Sequence, residues 1–392
     1  MAVLIIILQV VEWIFFVLLT FNVLYLLVFS LASLLRYKQV RGVVREQKCM
    51  AVLIPSYKED AVIADTVHAC LQQTYPSDKY EVVVISDRMK PETNDYLRTL
   101  PIRLVEVNFE RSTKAKSLNE AMRVIGDRYD VAVVLDADNL VSPSFLTEIN
   151  EAFAQEGVEV VQAHRMAKNL NTDMAFLDAM SEEINNSIFR LGHVNLGLST
   201  ALIGSGMAFD YALFKHTMAL VDSVGEDREM EFRLLSQGKR FYYLQHTLVQ
   251  DEKIQTAKDF TNQRRRWLAA QFLYGAAHAP HLLKALLSGR WNYLDKVLQH
   301  FLLPRVLLLG ILSVLTISVL TVSPLYAVKW VVLWTMLAVA LLVAIPRKYY
   351  TKRLWLAVLG VPKAFVLMFL NLFRLKDAHK HFIHTQHGVK DI

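Results

Sequence analysis

A chain of 392 residues with 54% hydrophobic residues and a mean hydropathy of +0.28 is too apolar for a wholly water-soluble protein, yet 20% of its residues are charged. A membrane part and a water-facing part are both implied. The formal net charge of +6 does not argue for a nucleic-acid partner, because many basic residues flank apolar segments, where anionic headgroups account for them.

The first apolar stretch covers residues 3–35 and holds one acid, Glu12, and no base. It exceeds the roughly 18 to 20 residues that cross a bilayer as helix. No basic segment precedes it, as one would precede the core of a secretory signal, and Arg36, Lys38, Arg41, Arg45 and Lys48 follow it. The pattern predicts an uncleaved anchor with its amino terminus outside, and a cytosolic region after Lys48. The two cysteines, Cys49 and Cys70, lack metal-site spacing and fit a reduced compartment.

Between Cys49 and His164 short apolar runs alternate with helical ones. Residues 49–54, 80–85, 103–107, 131–135 and 158–161 read as strands, and stretches near 60–73, 114–125 and 144–154 as helices. This predicts a mostly parallel, Rossmann-like α/β sheet. Ligands of such sheets bind beyond the carboxyl ends of the strands, where Pro55-Ser56-Tyr57, Ser86-Asp87 and Asp136-Ala137-Asp138-Asn139 fall. Three loops thus present oxygen atoms to one crevice.

Beyond His164 the pattern gives a helix over about 173–190, then Gly204-Ser205-Gly206, then Gly225-Glu226-Asp227-Arg228 before another helix. The stretch 259–291 mixes arginines with aromatics, as a segment lying along a membrane surface does. Apolar segments 301–322 and 326–345 flank Ser323-Pro324 and are followed by Arg347, Lys348, Lys352 and Arg353, a hairpin returning inside. The last apolar segment, 354–375, carries Pro362-Lys363 near its centre and reads as an interfacial or re-entrant helix rather than a further span.

Asp136 and Asp138 suit a divalent ion held by one or two carboxylates while phosphate oxygens and water complete its shell. A pyrophosphate leaving group needs that neutralisation. An acidic turn capping the helix after Pro143 accounts for the same pair. Asp87 can accept from a uracil N–H or from ribose hydroxyls, or stand as an ordinary strand-end aspartate. Lys114 and Lys116 open a helix, where cations and backbone N–H groups collect around phosphate; solvated lysines are the plain alternative. Glu226 and Asp227 also open a helix, favoured there by its dipole. Asp227 is the candidate general base for an acceptor hydroxyl, and a single base beside a metal-held leaving group points to inversion. Gln263-Arg264-Arg265-Arg266-Trp267 offers guanidiniums for pyrophosphate and an indole face for a sugar ring, or an interfacial anchor.

In order along the chain, Ile54-Pro55-Ser56-Tyr57-Lys58-Glu59, Ser86-Asp87, Lys114-Ala115 with Leu118-Asn119, Asp136-Ala137-Asp138, Gly204-Ser205-Gly206-Met207, Gly225-Glu226-Asp227 and Gln263 to Trp267 resemble the motif series of family 2 glycosyltransferases. The likeness is to the membrane-embedded branch of cellulose, chitin and hyaluronan synthases. It implies an α/β, GT-A (Rossmann-like) cytosolic domain over 38–258 with flanking transmembrane helices: an anchor over 1–37, an amphipathic interfacial region over 259–298, a hairpin over 299–346, and a basic loop, interfacial or re-entrant helix and cytosolic tail over 347–392.

The resemblance further implies that Pro55, Tyr57, Glu59, Asp87, Lys114, Asp136 and Arg266 hold the nucleotide sugar. Asp138, with Asp136, would bind Mg²⁺ or Mn²⁺, Asp227 would be the catalytic base, and Gly204, Ser205, Gly206, Glu226, Gln263 and Trp267 would face the acceptor. The tail from Phe382 to Gly388 loosely resembles the family's loop over bound nucleotide, or is a histidine-bearing segment at the headgroups. The activity expected is inverting transfer of a hexose from a UDP-sugar to a growing β-linked polysaccharide at the inner face of a cell inner or plasma membrane. Limited transfer to a membrane lipid and a non-catalytic assembly subunit are the alternatives. Three spans are few for a polysaccharide channel, so a homo-oligomer or an export partner is expected if the product is a polymer.

Overall fold

The computed structural model describes residues 2–223 and 225–372, and the 382–388 motif lies outside them. Eight strands form one sheet: β1 (Met50–Tyr57), β2 (Tyr80–Asp87), β3 (Arg103–Val107), β4 (Val131–Val134), β5 (Leu140–Val141), β6 (Val160–Ala167), β7 (Met207–Asp210) and β8 (Tyr242–Asp251). Their order is β3-β2-β1-β4-β7-β6-β8-β5.

The β3-β2-β1-β4 half is parallel, as the alternation of strands and helices predicts. The other half departs from that expectation. β7 runs antiparallel to both β4 and β6, and β5 antiparallel to β8, while β6 and β8 are parallel. The predicted helix over 173–190 also changes character: it is α-helical over Asp173–Asn185 and continues as a π-helical turn over Asn186–Gly192.

Alternation along the strands serves two cores. Leu53, Val83, Ile85, Ala132 and Val134 face one layer, which holds Leu118, Met122, Phe209 and Phe232. Val52, Ile54, Val82, Val84 and Val133 face the other, with Ile63, Val67, Leu97, Phe145 and Ile149. With helices on both faces, the strands read as near-continuous apolar runs.

Three described helices are long and apolar enough to cross a membrane: Gln9–Ala32 within helix Ala2–Ala32, Arg305–Val322 and Pro324–Val343. They pack through Leu19, Val23, Leu26, Leu308, Leu312, Trp330, Leu333 and Leu337. The single charges of the first and third of these segments find each other. Glu12 and Lys329 lie 2.7 Å apart, an ion pair by distance without a well-aligned hydrogen bond, and the ammonium stands 4.2 and 4.4 Å from the ring centres of Tyr326 and Trp13. The last apolar segment is broken. Helices Lys352–Val358 and Val361–Leu372 meet at 41°, and Pro362 sits in the first turn of the second, where its missing N–H costs nothing.

The amino-terminal helix meets the sheet domain backbone to backbone. A Cβ on Gly192 would stand 2.1 Å from the Phe29 carbonyl oxygen. Gly192→Ala is expected to cost roughly 1–3 kcal/mol through this overpacking, read as a lower melting temperature of the detergent-solubilised protein. An unchanged melting temperature would show that the two backbones do not touch.

Candidate active site

Register carries the polar residues to one edge of the sheet. Tyr57 pairs with Asp87 across β1 and β2, and Leu53 with Val134 across β1 and β4, so Asp136 and Asp138 emerge just beyond β4 at that same edge. Antiparallel β7 pairs Met207 with Val134, which returns Gly204-Ser205-Gly206 to it. β8 ends at Asp251, beside Ala167 of β6 and one residue past the Leu140–Gln250 pair with β5. The carboxylates of Asp136, Asp138 and Asp251 therefore converge, their oxygens within 4.8 Å of one another.

Short polar side chains fix this cluster from behind. Asn139, fully buried, accepts from the Asp136 N–H at 3.0 Å and donates to Asp138 at 3.2 Å and to Asp251 at 3.3 Å. The Ser205 hydroxyl donates to Asn139 and accepts from the Asp136 N–H at 3.1 Å. Asp138, 2% exposed, also accepts from the Glu252 N–H at 2.9 Å. Hard oxygen donors at this spacing fit Mg²⁺ or Mn²⁺, and Asp251 is a candidate ligand that the motif reading misses.

Two lysines offset the acids, Lys114 half-buried and Lys253 buried. Lys114 pairs with Asp136, donates to the Gly204 carbonyl at 2.8 Å and lies 3.8 Å from Glu226. Burial works to lower the Lys114 pKa, but Asp136 and Glu226 outweigh it and hold it above its ordinary value. Lys253 pairs with Asp251 at 2.7 Å. Burial likewise pushes the Asp251 pKa up, and Lys253 and Arg165 prevail, so it lies below the ordinary carboxylate value.

At the other end of the cleft Asp87 is 1% exposed and neither carboxylate oxygen makes a well-aligned hydrogen bond, although the Ser112 hydroxyl is close enough to favour its charged form. Burial raises its pKa against the opposing pull of Ser112, Arg88 and Lys58. Lys58 and Arg88 both have left-handed backbones, φ 56° and 55°, and the Lys58 N–H donates to the Asp87 carbonyl at 3.2 Å. Two such residues side by side at strand ends mark a locally strained turn of the sort found around ligand sites. Thr113 caps helix Lys114–Ile125, its hydroxyl accepting from the Lys116 N–H at 3.3 Å, and Thr113, Lys114, Lys116 and Ser117 at this helix start line the cleft.

Helix Glu226–Ser236 brings Asp227 to the cleft from the opposite wall. A Cβ on Gly204, whose φ is +83°, would lie 3.6 Å from Asp227 Oδ2, so glycine both permits the left-handed turn and leaves that oxygen open. Asp227 Oδ1 accepts from the Arg228 N–H at 2.8 Å. Glu226 is buried, and desolvation, partly opposed by Lys114 and reinforced by Asp227, pushes its pKa up to about 7. Helix Ala257–His278 carries Gln263, Arg266 and Trp267 at i, i+3 and i+4, one face. Burial lowers the Arg266 pKa, with Glu226 and Asp227 pulling the other way. Pro55, Tyr57, Glu59, Asp87, Lys114, Asp136, Asp138, Gly204, Glu226, Asp227, Gln263, Arg266 and Trp267 all line a single cavity of about 1010 Å³.

The sequence model of the family described as "Glycosyltransferase like family 2" matches residues 47–270. The chain belongs to the family 2 glycosyltransferases. Among curated family members it is 25% identical over 283 residues to the beta-monoglucosyldiacylglycerol synthase of Nostoc sp., covering 68% of this chain and 58% of that protein. It is 25% identical over 305 residues to the hyaluronan synthase of Streptococcus pyogenes, covering 71% and 70%. The chain thus spans little more than half the length of the first relative. A mannosyltransferase from Pyrobaculum calidifontis, solved with GDP-Man and Mn²⁺, shares the fold with a TM-score of 0.52 at 19% identity, over 84% of this chain and 96% of that one. The fold is GT-A-like, with apolar helices on both sides of the glycosyltransferase domain.

Two residues expected to face the acceptor are placed elsewhere. Ser205 and Gly206 are buried behind the cavity wall, the serine bracing Asn139 and Asp136. A Cβ on Gly206 would approach Val249 to 3.0 Å, so this glycine permits close packing of β8. Within Gln263 to Trp267, Arg264 pairs with Asp178 at 2.6 Å and lies 4.6 Å from the Trp267 ring centre.

The raised Glu226 pKa has a consequence for stability. A carboxyl group that ionises near 7 when folded and near 4.5 when unfolded binds more protons in the native state. Its contribution to stability is therefore present below about pH 4.5 and lost as pH rises through about 7. Melting curves between pH 5 and 8 should show that loss in the wild type and a flatter profile in Glu226→Gln. Identical profiles would place Glu226 in contact with water.

Proposed function

We propose that this glycosyltransferase carries out inverting transfer of a hexose from a UDP-sugar to an acceptor that reaches the cavity from the membrane. The observation that carries the reading is the single cavity shared by the buried carboxylate of Asp87, the Asp136-Asp138-Asp251 cluster and Asp227. A buried carboxylate with no well-aligned hydrogen bond gains when a donor arrives, and the N–H of a uracil ring supplies one. Arg266, the Lys114 ammonium and the amino terminus of helix Lys114–Ile125 then face the diphosphate.

A divalent cation held by Asp138, Asp136 and Asp251 would neutralise the charge that develops on the leaving diphosphate. Asp227 takes the proton of the acceptor hydroxyl at Oδ2, since Oδ1 is engaged by the Arg228 N–H. The hydroxyl oxygen bonds to the anomeric carbon as the bond to diphosphate breaks, on the opposite face of the sugar. Gln263 and Trp267 stand where an acceptor sugar or headgroup is steadied.

The acceptor reading that the geometry favours is a membrane lipid. Val306, Val361, Ala364 and Met368, from the apolar helices, and Leu303, just before one of them, line the same cavity as Asp227. A growing β-linked polysaccharide is the second reading, supported by Trp267 as a sugar platform and by the likeness to hyaluronan synthase. The bound sidedness is the cytoplasmic face, argued from the basic residues that follow each apolar segment.

Asp227→Asn is expected to lower UDP-sugar turnover at least about 100-fold, the usual scale of a general base, while UDP binding stays within about twofold; wild-type turnover in this variant would remove Asp227 from the chemistry. Asp87→Ala should instead weaken UDP binding by about tenfold or more, measured by calorimetry with Mn²⁺ present. Radiolabelled UDP-sugars incubated with membranes give a discrete organic-soluble product for a lipid acceptor. A size-heterogeneous, water-soluble product identifies a polymer instead.

A further inference from the structure

The membrane end of the cavity holds a group of guanidiniums that the proposed transfer does not use. Arg305, the first residue of helix Arg305–Val322, donates through Nη2 to the carbonyl and to Oγ of Ser181, each at 3.2 Å. Arg264 reaches the same Oγ at 3.4 Å while pairing with Asp178 at 2.6 Å. Deeper in, Arg165 and Arg190 share Glu182 at 2.9 and 3.1 Å.

The acids of this group are thus already matched. Among the described residues no carboxylate pairs with Arg305, and its Nη1 is buried without a hydrogen bond. A desolvated guanidinium with an unused donor is unfavourable until an anion meets it. The Ser181 hydroxyl accepts from both arginines, which leaves its own hydrogen to donate. Beside these polar groups the wall is apolar, with Leu177, Val361, Ala364 and Met368 lining the same space. Arg264 is one residue from Gln263 and three from Trp267 on helix Ala257–His278. At a rise of about 1.5 Å per residue, the arginine pair starts within one turn of the residues assigned to the acceptor.

We propose that Arg305, with Arg264 and the Ser181 hydroxyl, forms a subsite for the phosphate of an amphipathic acceptor whose apolar chain runs along Leu177, Val361, Ala364 and Met368. The proposal rests on the lipid-acceptor reading and adds the charge of the headgroup. The planar guanidinium of Arg305 offers phosphate paired N–H donors, and Asp178 is kept from repelling it by its own bond to Arg264.

The test uses the full chain in detergent micelles, titrated with farnesyl phosphate and with farnesol, with binding read from tryptophan fluorescence and folding from the melting temperature. Farnesyl phosphate should bind the wild type at least about tenfold more tightly than farnesol. That preference should vanish in Arg305→Gln and shrink in Arg305→Lys, which keeps the charge and loses the fork. Should Arg305→Gln fail to fold, Arg305→Lys decides: a reduced preference supports the subsite and an undiminished one overturns it. Equal binding of the two lipids by the wild type overturns it, as does a preference unchanged in a folded Arg305→Gln. Inorganic phosphate binding as tightly as farnesyl phosphate would make this a free-phosphate site, and tighter binding of a uronate oligosaccharide would make it a polymer site; both results overturn the lipid assignment. No donor is present in the titration, so a failure of UDP to bind would count against the proposed transfer without touching this result.

Discussion

The half-buried ammonium of Lys114 is the constraint on which the site depends. It touches Asp136 from the loop after β4, the Gly204 carbonyl from the loop before β7 and the neighbourhood of Glu226 from the opposing helix. These segments lie up to 112 residues apart in sequence, counting from Lys114 to Glu226, and no backbone ladder joins all of them. Without the cation, Asp136, Glu226 and Asp227 would face one another across a poorly solvated cleft, and like carboxylates in that setting repel or protonate. A partly exposed ion pair of this kind contributes little net stability, because desolvation and solvent screening take back most of the Coulomb gain. Its effect is positional: it fixes where the acids stand relative to the sheet edge.

The parallel half of the sheet was legible because its strands are apolar on both faces and helices of ordinary length separate them. Arg103–Val107 and Lys114–Ile125 fall where the pattern places them. The antiparallel half was harder to read for identifiable reasons. β5 has two residues, too few for alternation to be recognised, and β7 four, of which Met207-Ala208-Phe209 are apolar without alternation. β8 carries His246, Thr247 and Gln250 among its apolar positions and bends at a register shift opposite Ala163 and His164, so its period is broken in the middle. The π-helical turn at Asn186–Gly192 has no marker in composition; it ends at Gly192, where the backbone meets Phe29.

The legibility of the site follows the same division. Acids that end a recognisable strand or open a recognisable helix, such as Asp87, Asp136 and Asp227, could be singled out. Asp251 could not, because the strand that delivers it was unread, although a run of alternating residues ending in Asp251-Glu252-Lys253 is itself a strand-end signal. Ser205 and Gly206 show the opposite error. A short glycine-serine motif invites a role at the ligand, and the chain uses it to brace Asn139 and to let β8 come close. Motif spacing fixes which residues are neighbours in sequence, whereas burial decides which of them see the cavity.

Helix Ala257–His278 links the sheet's cavity to the apolar helices. On one turn it presents Gln263, Arg266 and Trp267 to the cavity; further along, Gln271 donates to the carbonyls of His300 and Leu302 at 3.2 and 2.7 Å, just before the apolar helix that opens at Arg305. Asn371, on the broken helix, donates to Thr261 at 3.2 Å, near the start of the same element. A displacement of the apolar helices is therefore felt by the residues beside Asp227, through side-chain to backbone bonds rather than through the sheet. Because an α-helix satisfies its own backbone hydrogen bonds, its side chains are left to make the contacts on both sides, and the Gln263 to Trp267 motif sits on the helix between the sheet and the apolar helices.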